Sequence, residues 1–509
     1  MIHSLTRGRP SPSARLCRSA AAVLLCAGAI ACDGAEPSKG TDATQLRLTI
    51  APSAPTERVI PRALMGFNCN YAFDTDEIWE TGKIPERLQT LGVGALRYPG
   101  GAITTAFHWR HPGVNAGVDI WHPKAAERRG WQTTYVKPED WATNKNFMDY
   151  DEFMAHCKAI GAEPIVGINI RSGLHHNRLD DSLNEAVEWV RHARESGYKA
   201  RYWYLDNEPW KEQHKAFGGL QRWAQMARRF ALAMKAEDST IRVFAEVTDG
   251  GGINRYGAYD TFLGITDGAV DGLNIHIYWE WGQATWARWL SHKPVKMSSP
   301  WRPYDKAKTF TRSIADLRTF LDNKGYDDVE LAALEWNITA PRKNPVPPRQ
   351  SALILSEIWM QFAVSPLDQA CMWPMFYQTQ PPSASAHKRI PEDYRSIFSQ
   401  TAPYKPSGIY RSFSLFTPAL GATLLPVEDG SGEYPSMAAL TADGKILLYV
   451  LSKADVPTSL AVSCPGYEID QADSYQSSGQ MVSITTSQAD SIVLPPLALT
   501  RIRLSPPGR

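Results

Sequence analysis

The sequence predicts an α/β fold, a (β/α)8 TIM barrel with a C-terminal β-sandwich that also takes an N-terminal strand. Three observations predict it. Apolar runs bounded by turn chemistry alternate with amphipathic helical segments through the middle of the chain, which is the βαβα pattern of a parallel sheet. From about Tyr410 the pattern changes to short strands separated by turn residues, as in a sandwich. A lone alternating segment, Leu46-Arg47-Leu48-Thr49-Ile50, precedes the first barrel-like run and is too short to fold by itself, so it is expected to join a sheet elsewhere.

Eight candidate strands fall at Met65 to Asn70, Ala95 to Pro99, Pro164 to Ile170, Tyr202 to Glu208, Arg242 to Val247, Leu273 to Tyr278, Val329 to Glu335 and Gln369 to Phe376. Helical periodicity between them is clearest at Leu183 to Ser196, Leu220 to Lys235 and Tyr304 to Leu321. Leu447 to Leu451, Leu460 to Val462 and Leu499 to Leu504 read as sandwich strands. The expected organisation is a signal segment at 1–32, an N-terminal strand region at 33–58, a catalytic barrel at 59–405 and the sandwich at 406–509.

The first 31 residues carry Arg7, Arg9, Arg15 and Arg18, no acid, and an apolar run from Ala20 to Ile30. This is the pattern of a secretory signal. Ala29-Ile30-Ala31-Cys32 looks like a bacterial lipobox, which makes Cys32 a candidate lipid anchor; Ala29 stands where the leucine is usual. The chain is therefore expected outside the cytoplasm, as a surface lipoprotein or a periplasmic or secreted protein.

Composition excludes several classes. At 43% hydrophobic and 21% charged, with 36 Gly and 36 Pro in 509 residues, the chain is ordinary for a globular protein. Setting the four signal arginines aside from 54 basic residues, against 53 acidic, leaves the remainder at −3 with no basic cluster, so nucleic acid is not an expected partner. Of seven cysteines, Cys69, Cys157, Cys371 and Cys464 lie far apart without metal-ligand spacing and read as buried thiols. Asp249-Gly250-Gly251-Gly252 follows a strand but lacks dinucleotide-binding spacing, and neither a cofactor nor a metal is expected.

Two glutamates carry the chemistry. Glu208, in Tyr202-Trp203-Tyr204-Leu205-Asp206-Asn207-Glu208-Pro209, ends the fourth strand, and Glu335, in Leu334-Glu335-Trp336-Asn337, ends the seventh. Their 127-residue separation spans about three βα units of roughly 40 residues, which puts both on the C-terminal rim where such barrels hold their active sites. Paired carboxylates are the equipment for cleaving a glycosidic bond: one protonates the leaving oxygen while the other meets the anomeric carbon. Of 17 tryptophans, Trp279, Trp281, Trp286, Trp289 and Trp301 follow the sixth strand, and Trp109, Trp121, Trp131 and Trp141 fall between Ala102 and Asn146. Indole faces stack on sugar rings, so Trp279 and the strand-end Trp210, Trp336 and Trp373 are candidates to line a cleft.

Leu96-Arg97-Tyr98-Pro99-Gly100-Gly101, Asp151-Glu152-Phe153-Met154 through Gly161-Ala162-Glu163-Pro164, His276-Ile277-Tyr278 and Glu335-Trp336-Asn337 resemble the retaining glycoside hydrolases of clan A. The likeness is closest to α-L-arabinofuranosidases that combine a barrel with a sandwich, and it covers nearly the whole mature chain. It implies Glu208 as acid/base, Asn207 beside it facing a sugar hydroxyl, Glu335 as nucleophile, and Arg97 and Tyr278 orienting the Glu335 carboxylate. His276 is either a sugar contact or a satisfied polar residue. The implied partner is an oligo- or polysaccharide of plant or algal cell walls.

The chain departs from that family in three places. Ala102 follows the paired glycines where the family has asparagine, the first strand ends Asn68-Cys69-Asn70 without the family's glutamate, and Asp206-Asn207-Glu208-Pro209-Trp210 replaces a glycine-led motif. The alternatives are an endo-acting galactan hydrolase of β-agarase or porphyranase type and a non-catalytic surface glycan-binding lipoprotein.

Overall fold

The computed structural model describes residues 46–71, 74–110, 119–122, 147–211, 217–247, 253, 256–297, 307–341, 343–376, 394–399, 402–429, 431–485 and 489–507. Cys32, the glycine run at 249–252, and Trp131, Trp141 and Trp301 lie outside the described residues. No described helix is long and apolar enough to cross a membrane.

After β1 (Leu46–Ile50), eight strands close a parallel barrel in chain order: β2 (Gly66–Asn68), β3 (Ala95–Tyr98), β4 (Glu163–Ile168), β5 (Tyr202–Leu205), β6 (Arg242–Ala245), β7 (Gly272–Trp279), β8 (Glu330–Ile338) and β9 (Gln369–Met372). All eight expected strands are present. β2 to β6 end one to three residues earlier than expected and β9 four, because the residues after them leave the ladder to build the rim, whereas β7 and β8 run one and three residues further, so Glu335 lies within β8 and does not end it. Helices Leu179–Glu195, Leu220–Glu237 and Phe310–Asn323 cover the outside. The last of these starts later than expected at 304, because Thr309 caps it by accepting the Arg312 N–H. Local chemistry sets other ends too: Asp149 and Glu152 form a capping box at the start of Tyr150–Ile160, and Gly161, at φ 77°, ends it.

The barrel interior is a small core of Ala95, Ile165, Tyr204, Phe244, Ala332, Leu334 and Cys371. Its two large rings need empty space opposite. A Cβ on Gly167 would lie 2.1 Å from Tyr204, and one on Gly272 would lie 2.2 Å from Phe244, so glycine is required at both positions.

The sandwich strands are β10 (Thr423–Leu425), β11 (Val427–Asp429), β12 (Ser436–Leu440), β13 (Ile446–Ser452), β14 (Thr458–Ser463), β15 (Glu468–Gln476), β16 (Met481–Ile484), β17 (Ser491–Leu494) and β18 (Ala498–Ser505). They form sheets ordered β11-β1-β14-β17 and β10-β12-β13-β18-β15-β16. The N-terminal β1 thus sits inside the four-stranded sheet as expected, parallel to β14 and antiparallel to β11. Leu448, Val450, Ile502 and Leu504 pack inward with Leu46, Leu48 and Ile50. The opposite face, with Tyr449, Leu451, Tyr475 and Leu499, joins the core of the barrel's helix layer. Tyr449 donates to the Leu415 carbonyl at 2.8 Å across that junction. The four cysteines are buried free thiols, as expected.

Candidate active site

The chain after β5 makes a sharp turn in which Asp206 (φ 59°) and Glu208 (φ 51°) both take left-handed conformations. Such backbone costs roughly 1 kcal/mol or more per non-glycine residue and persists only where surroundings impose it. The Asp206 carboxylate does so here, accepting the N–H groups of Ile170 at 2.9 Å, Arg171 at 2.6 Å and Asn207 at 2.7 Å. Burial pushes the Asp206 carboxyl above its usual range, against those three donors. The turn aims Asn207 and Glu208 across the barrel mouth, where both are buried.

Glu335 is presented by an irregularity in β8. Pairing with β7 slips between Asn274 and His276, and pairing with β9 slips between Ala333 and Trp336. The Leu334 backbone is satisfied by side chains there: its N–H donates to Asn274 Oδ1 at 3.0 Å, and its carbonyl accepts from Asn68 Nδ2 at 3.0 Å and Arg97 Nη1 at 3.3 Å. Such irregularities re-aim a side chain next to an active site.

Arg97, fully buried on β3, organises the mouth of the barrel. Its guanidinium donates to Glu335 Oε2 at 3.1 Å, Asn207 Oδ1 at 2.8 Å and Asn68 Oδ1 at 3.0 Å, and lies 4.3 Å from the Tyr204 ring centroid. Tyr278 donates to the other Glu335 oxygen at 2.6 Å. Carboxylate oxygens of Glu208 and Glu335 and a ring nitrogen of His276 all lie within 4.8 Å of one another. Glu208, Asn207, Arg97, His276, Tyr278 and Glu335 are thus brought together from four strands and their ends.

Sequence reasoning missed two members. Asn68, noted only as a departure, bridges Arg97 to the Leu334 and Cys371 carbonyls. Glu246, just beyond β6, takes the Glu208 N–H at 3.0 Å and lies 3.1 Å from His276 Nε2. Its signal was present: it is a carboxylate directly after an apolar strand, as Glu208 is one within three residues of a strand end. Glu208, His276 and Glu335 are also the one three-residue group among the described residues with the spacing to hold a metal ion. Both Glu335 oxygens already accept donors from Arg97 and Tyr278, so the arrangement suits an oriented carboxylate better than a metal ligand.

Two expected cleft residues are corrected. Trp279 is fully buried on the outward face of β7, its indole donating to the Lys296 carbonyl at 3.2 Å. Trp336 is buried on the outward face of β8, with ring centroids 5.1 Å from Phe362 and 6.4 Å from Phe413 in the helix layer. Side chains alternate along a strand, so with His276, Tyr278 and Glu335 facing the site, Trp279 and Trp336 face away. Trp210, in the short 3-10 turn directly after Glu208, is half-buried. Trp373 is also half-buried and lies over the paired glycines, where a Cβ on Gly101 would meet its ring at 2.3 Å. Trp281, 40% exposed with its ring edge-on to Tyr278 at 5.0 Å, is the aromatic residue better placed for a ligand. Ala102 is exposed on the rim and offers only a methyl group.

One wall of the rim rests on a buried histidine. His108 Nδ1 lies 2.8 Å from Glu185 Oε2 and its Nε2 lies 3.3 Å from Asp119 Oδ1. Burial works against its charge, but the hydrogen bonds to Asp119 and Glu185 prevail and push its pKa up to about 9. The folded pKa is above the unfolded value of about 6.5, so the ion pairs stabilise fully below that pH and fade as pH rises through about 9. In urea titrations of wild type and His108→Gln, the difference is expected to be on the order of 3 kcal/mol at pH 6 and to shrink toward pH 9.5. A gap independent of pH would contradict the assignment.

Fold and site together define a class: a (β/α)8 barrel with a buried carboxylate pair on its fourth and seventh strands, resembling the clan A glycoside hydrolases. Residues 87–281 match the family model of the alpha-L-arabinofuranosidase 1 domain, a span that includes Arg97, Glu208, His276 and Tyr278 but ends before Glu335. The chain is 27% identical over 181 residues to a probable alpha-L-arabinofuranosidase C of Aspergillus fumigatus, covering 32% of each chain. It is 24% identical over 280 residues to an intracellular exo-alpha-(1->5)-L-arabinofuranosidase of Streptomyces lividans, covering 50% of this chain and 37% of that one. The chain thus spans about a third of the length of the curated relatives it matches. In structure it is similar to an alpha-L-arabinofuranosidase from Thermotoga maritima, with TM-score 0.64, 16% identity, and coverage of 90% of this chain and 99% of the other. That likeness shows the shared fold of barrel plus β-sandwich.

Proposed function

We propose that the protein is a retaining glycoside hydrolase that removes α-L-arabinofuranosyl units from cell-wall polysaccharide. The observation that carries this reading is the approach of the Glu208 and Glu335 oxygens to within 4.8 Å, with Glu335 gripped by Arg97 and Tyr278. Retaining enzymes hold the two carboxyls about 5–5.5 Å apart, whereas inverting enzymes leave about 6.5–9.5 Å for a water. Glu335 attacks the anomeric carbon as Glu208 protonates the departing oxygen, giving a covalent glycosyl-enzyme. Glu208, now ionised, takes a proton from a water that attacks the same carbon and releases Glu335, so two inversions give net retention. No cofactor enters either step.

The pair is nearly enclosed, with Glu208 5% and Glu335 6% exposed, which suits a pocket for one terminal sugar better than an open groove. The exo-acting name of the Streptomyces lividans relative supports the same direction. Ala102 leaves the rim short of one hydrogen-bonding side chain, and Asn207, directly before Glu208, is the amide at the carboxylate pair. The arginine-rich apolar segment at 1–32 supports export, with Cys32 as the lipid attachment point.

Product analysis tests the function. The purified protein is incubated with arabinan, arabinoxylan, agarose, porphyran and 4-nitrophenyl glycosides. Arabinose alone is expected, released first as the α-anomer. A ladder of galactan oligosaccharides would replace this reading with an endo-acting hydrolase, and binding without product would replace it with a glycan-binding role.

A further inference from the structure

Three carboxylates converge on one imidazole. His276 Nε2 lies 3.1 Å from Glu246 Oε1, and its Nδ1 lies 3.4 Å from Glu208 Oε1 and 3.7 Å from Glu335 Oε2. All four side chains are buried. Each comes from a different barrel strand or strand end: Glu208 after β5, Glu246 after β6, His276 on β7 and Glu335 on β8. Behind Glu335 stand Arg97 of β3 and Tyr278 of β7, both already engaged with its oxygens.

The hydrogen bonds around Nε2 bear on which way the imidazole is protonated. Asn274 Oδ1 accepts the Leu334 N–H at 3.0 Å, which turns the Asn274 amide nitrogen toward Glu246 Oε1, 3.3 Å away. That same oxygen takes the Glu208 N–H at 3.0 Å. Glu246 Oε1 is thus an acceptor at which N–H groups converge, and a hydrogen bond from His276 to it needs the proton on Nε2. The Asn274 nitrogen also lies 3.2 Å from Nε2 and could donate to it in the other tautomer, but the charge-assisted bond to Glu246 favours the proton on Nε2. The Nδ1 edge is left facing the Glu208–Glu335 pair.

We propose that Glu246 is a positioning residue which, by holding the proton on His276 Nε2 and fixing the Glu208 backbone, sets how tightly the Glu208 carboxyl keeps its proton. Glu246 contributes a fixed negative charge two contacts from the acid/base and acts through His276 without touching substrate. A like charge close by favours the protonated carboxyl. Removing the charge therefore makes the catalytic proton easier to lose.

The inference rests on the glycosidase reading, and the experiment separates the two. The pH dependence of kcat/KM is measured for wild type, Glu246→Gln and Glu246→Asp on the aryl glycoside that wild type hydrolyses. Glu246→Gln is expected to move the alkaline limb down by about one pH unit and to lower kcat about tenfold, while Glu246→Asp keeps the limb near that of wild type. A merely structural role would lower the active fraction without moving the limb, so superimposed profiles overturn the inference while the glycosidase reading stands. A second measurement does not depend on a variant retaining its activity. In 15N-labelled wild type, the His276 imidazole resonance, assigned by its loss in His276→Gln, is expected to show the proton on Nε2 throughout the range of activity. A proton on Nδ1 with bare Nε2 overturns the inference. If wild type cleaves no glycoside, the functional reading falls, and this resonance still decides the role of Glu246.

Discussion

Glu335→Gln is expected to lower kcat by on the order of 10⁴-fold or more while leaving the unfolding transition nearly unchanged. The amide keeps the volume of the side chain and one oxygen for Arg97 or Tyr278, so the local packing survives. It lacks the charge and nucleophilicity needed to form the glycosyl-enzyme. Arg97 would lose one charged partner, but it retains Asn207, Asn68 and the Leu334 carbonyl as acceptors. Kinetics on an aryl glycoside beside thermal unfolding checks both halves. A variant with wild-type turnover would remove Glu335 from the role of nucleophile, and with it the double displacement.

The largest stability effect is expected far from the Glu208–Glu335 pair, where the sandwich meets the barrel. Lys453, directly after β13, and Glu357, in helix Pro348–Ala363, form a 2.8 Å ion pair with both side chains almost wholly buried. Glu357 also accepts the Trp289 indole N–H at 2.6 Å and the Val295 N–H at 2.6 Å, and Lys453 donates to the Trp289 carbonyl at 3.2 Å and to the His292 carbonyl. Lys453→Met leaves a buried carboxylate without its cation, and removing one partner of such a pair costs about 3–5 kcal/mol. Urea unfolding followed by tryptophan fluorescence measures the loss. Converting Glu357 to Met as well should recover only part of it, because the Trp289 and Val295 donors would then be orphaned. A loss under about 1 kcal/mol in the single variant would show that the pair is not buried in solution. The same network fastens the connection after β7, which carries Trp281 beside Tyr278, so a raised KM is expected to accompany the lost stability.

The barrel was legible because strands buried on both faces must be apolar runs, and the residues between them must carry turn chemistry and amphipathic period. Leu46–Ile50 was legible as a strand in need of a host for a different reason. Its inward Leu46, Leu48 and Ile50 alternate with Arg47 and Thr49, and no neighbouring segment could cover that face. Its parallel pairing with β14 was not legible, since register depends on a partner more than 400 residues away. At the site, strand-end position singled out Glu208 and Glu335, and the resemblance named Asn207, Arg97 and Tyr278 beside them. The tryptophans show where residue type misled. Trp279 and Trp336 are large, aromatic and near strand ends, yet the period-two alternation that turns Tyr278 and Glu335 inward turns their neighbours outward.

By itself, then, the sequence determined the eight parallel strands, the rim positions of the two glutamates and the need for a sandwich partner, because each depends on local pattern and on which faces must be buried. Only the tertiary structure decided that Glu246 meets His276, that Asn68 supports Arg97 and that the β8 irregularity aims Glu335. Those relations join residues on different strands across a barrel mouth, where tenths of an ångström in register choose the hydrogen-bond partner, and no local pattern in the chain encodes that distance.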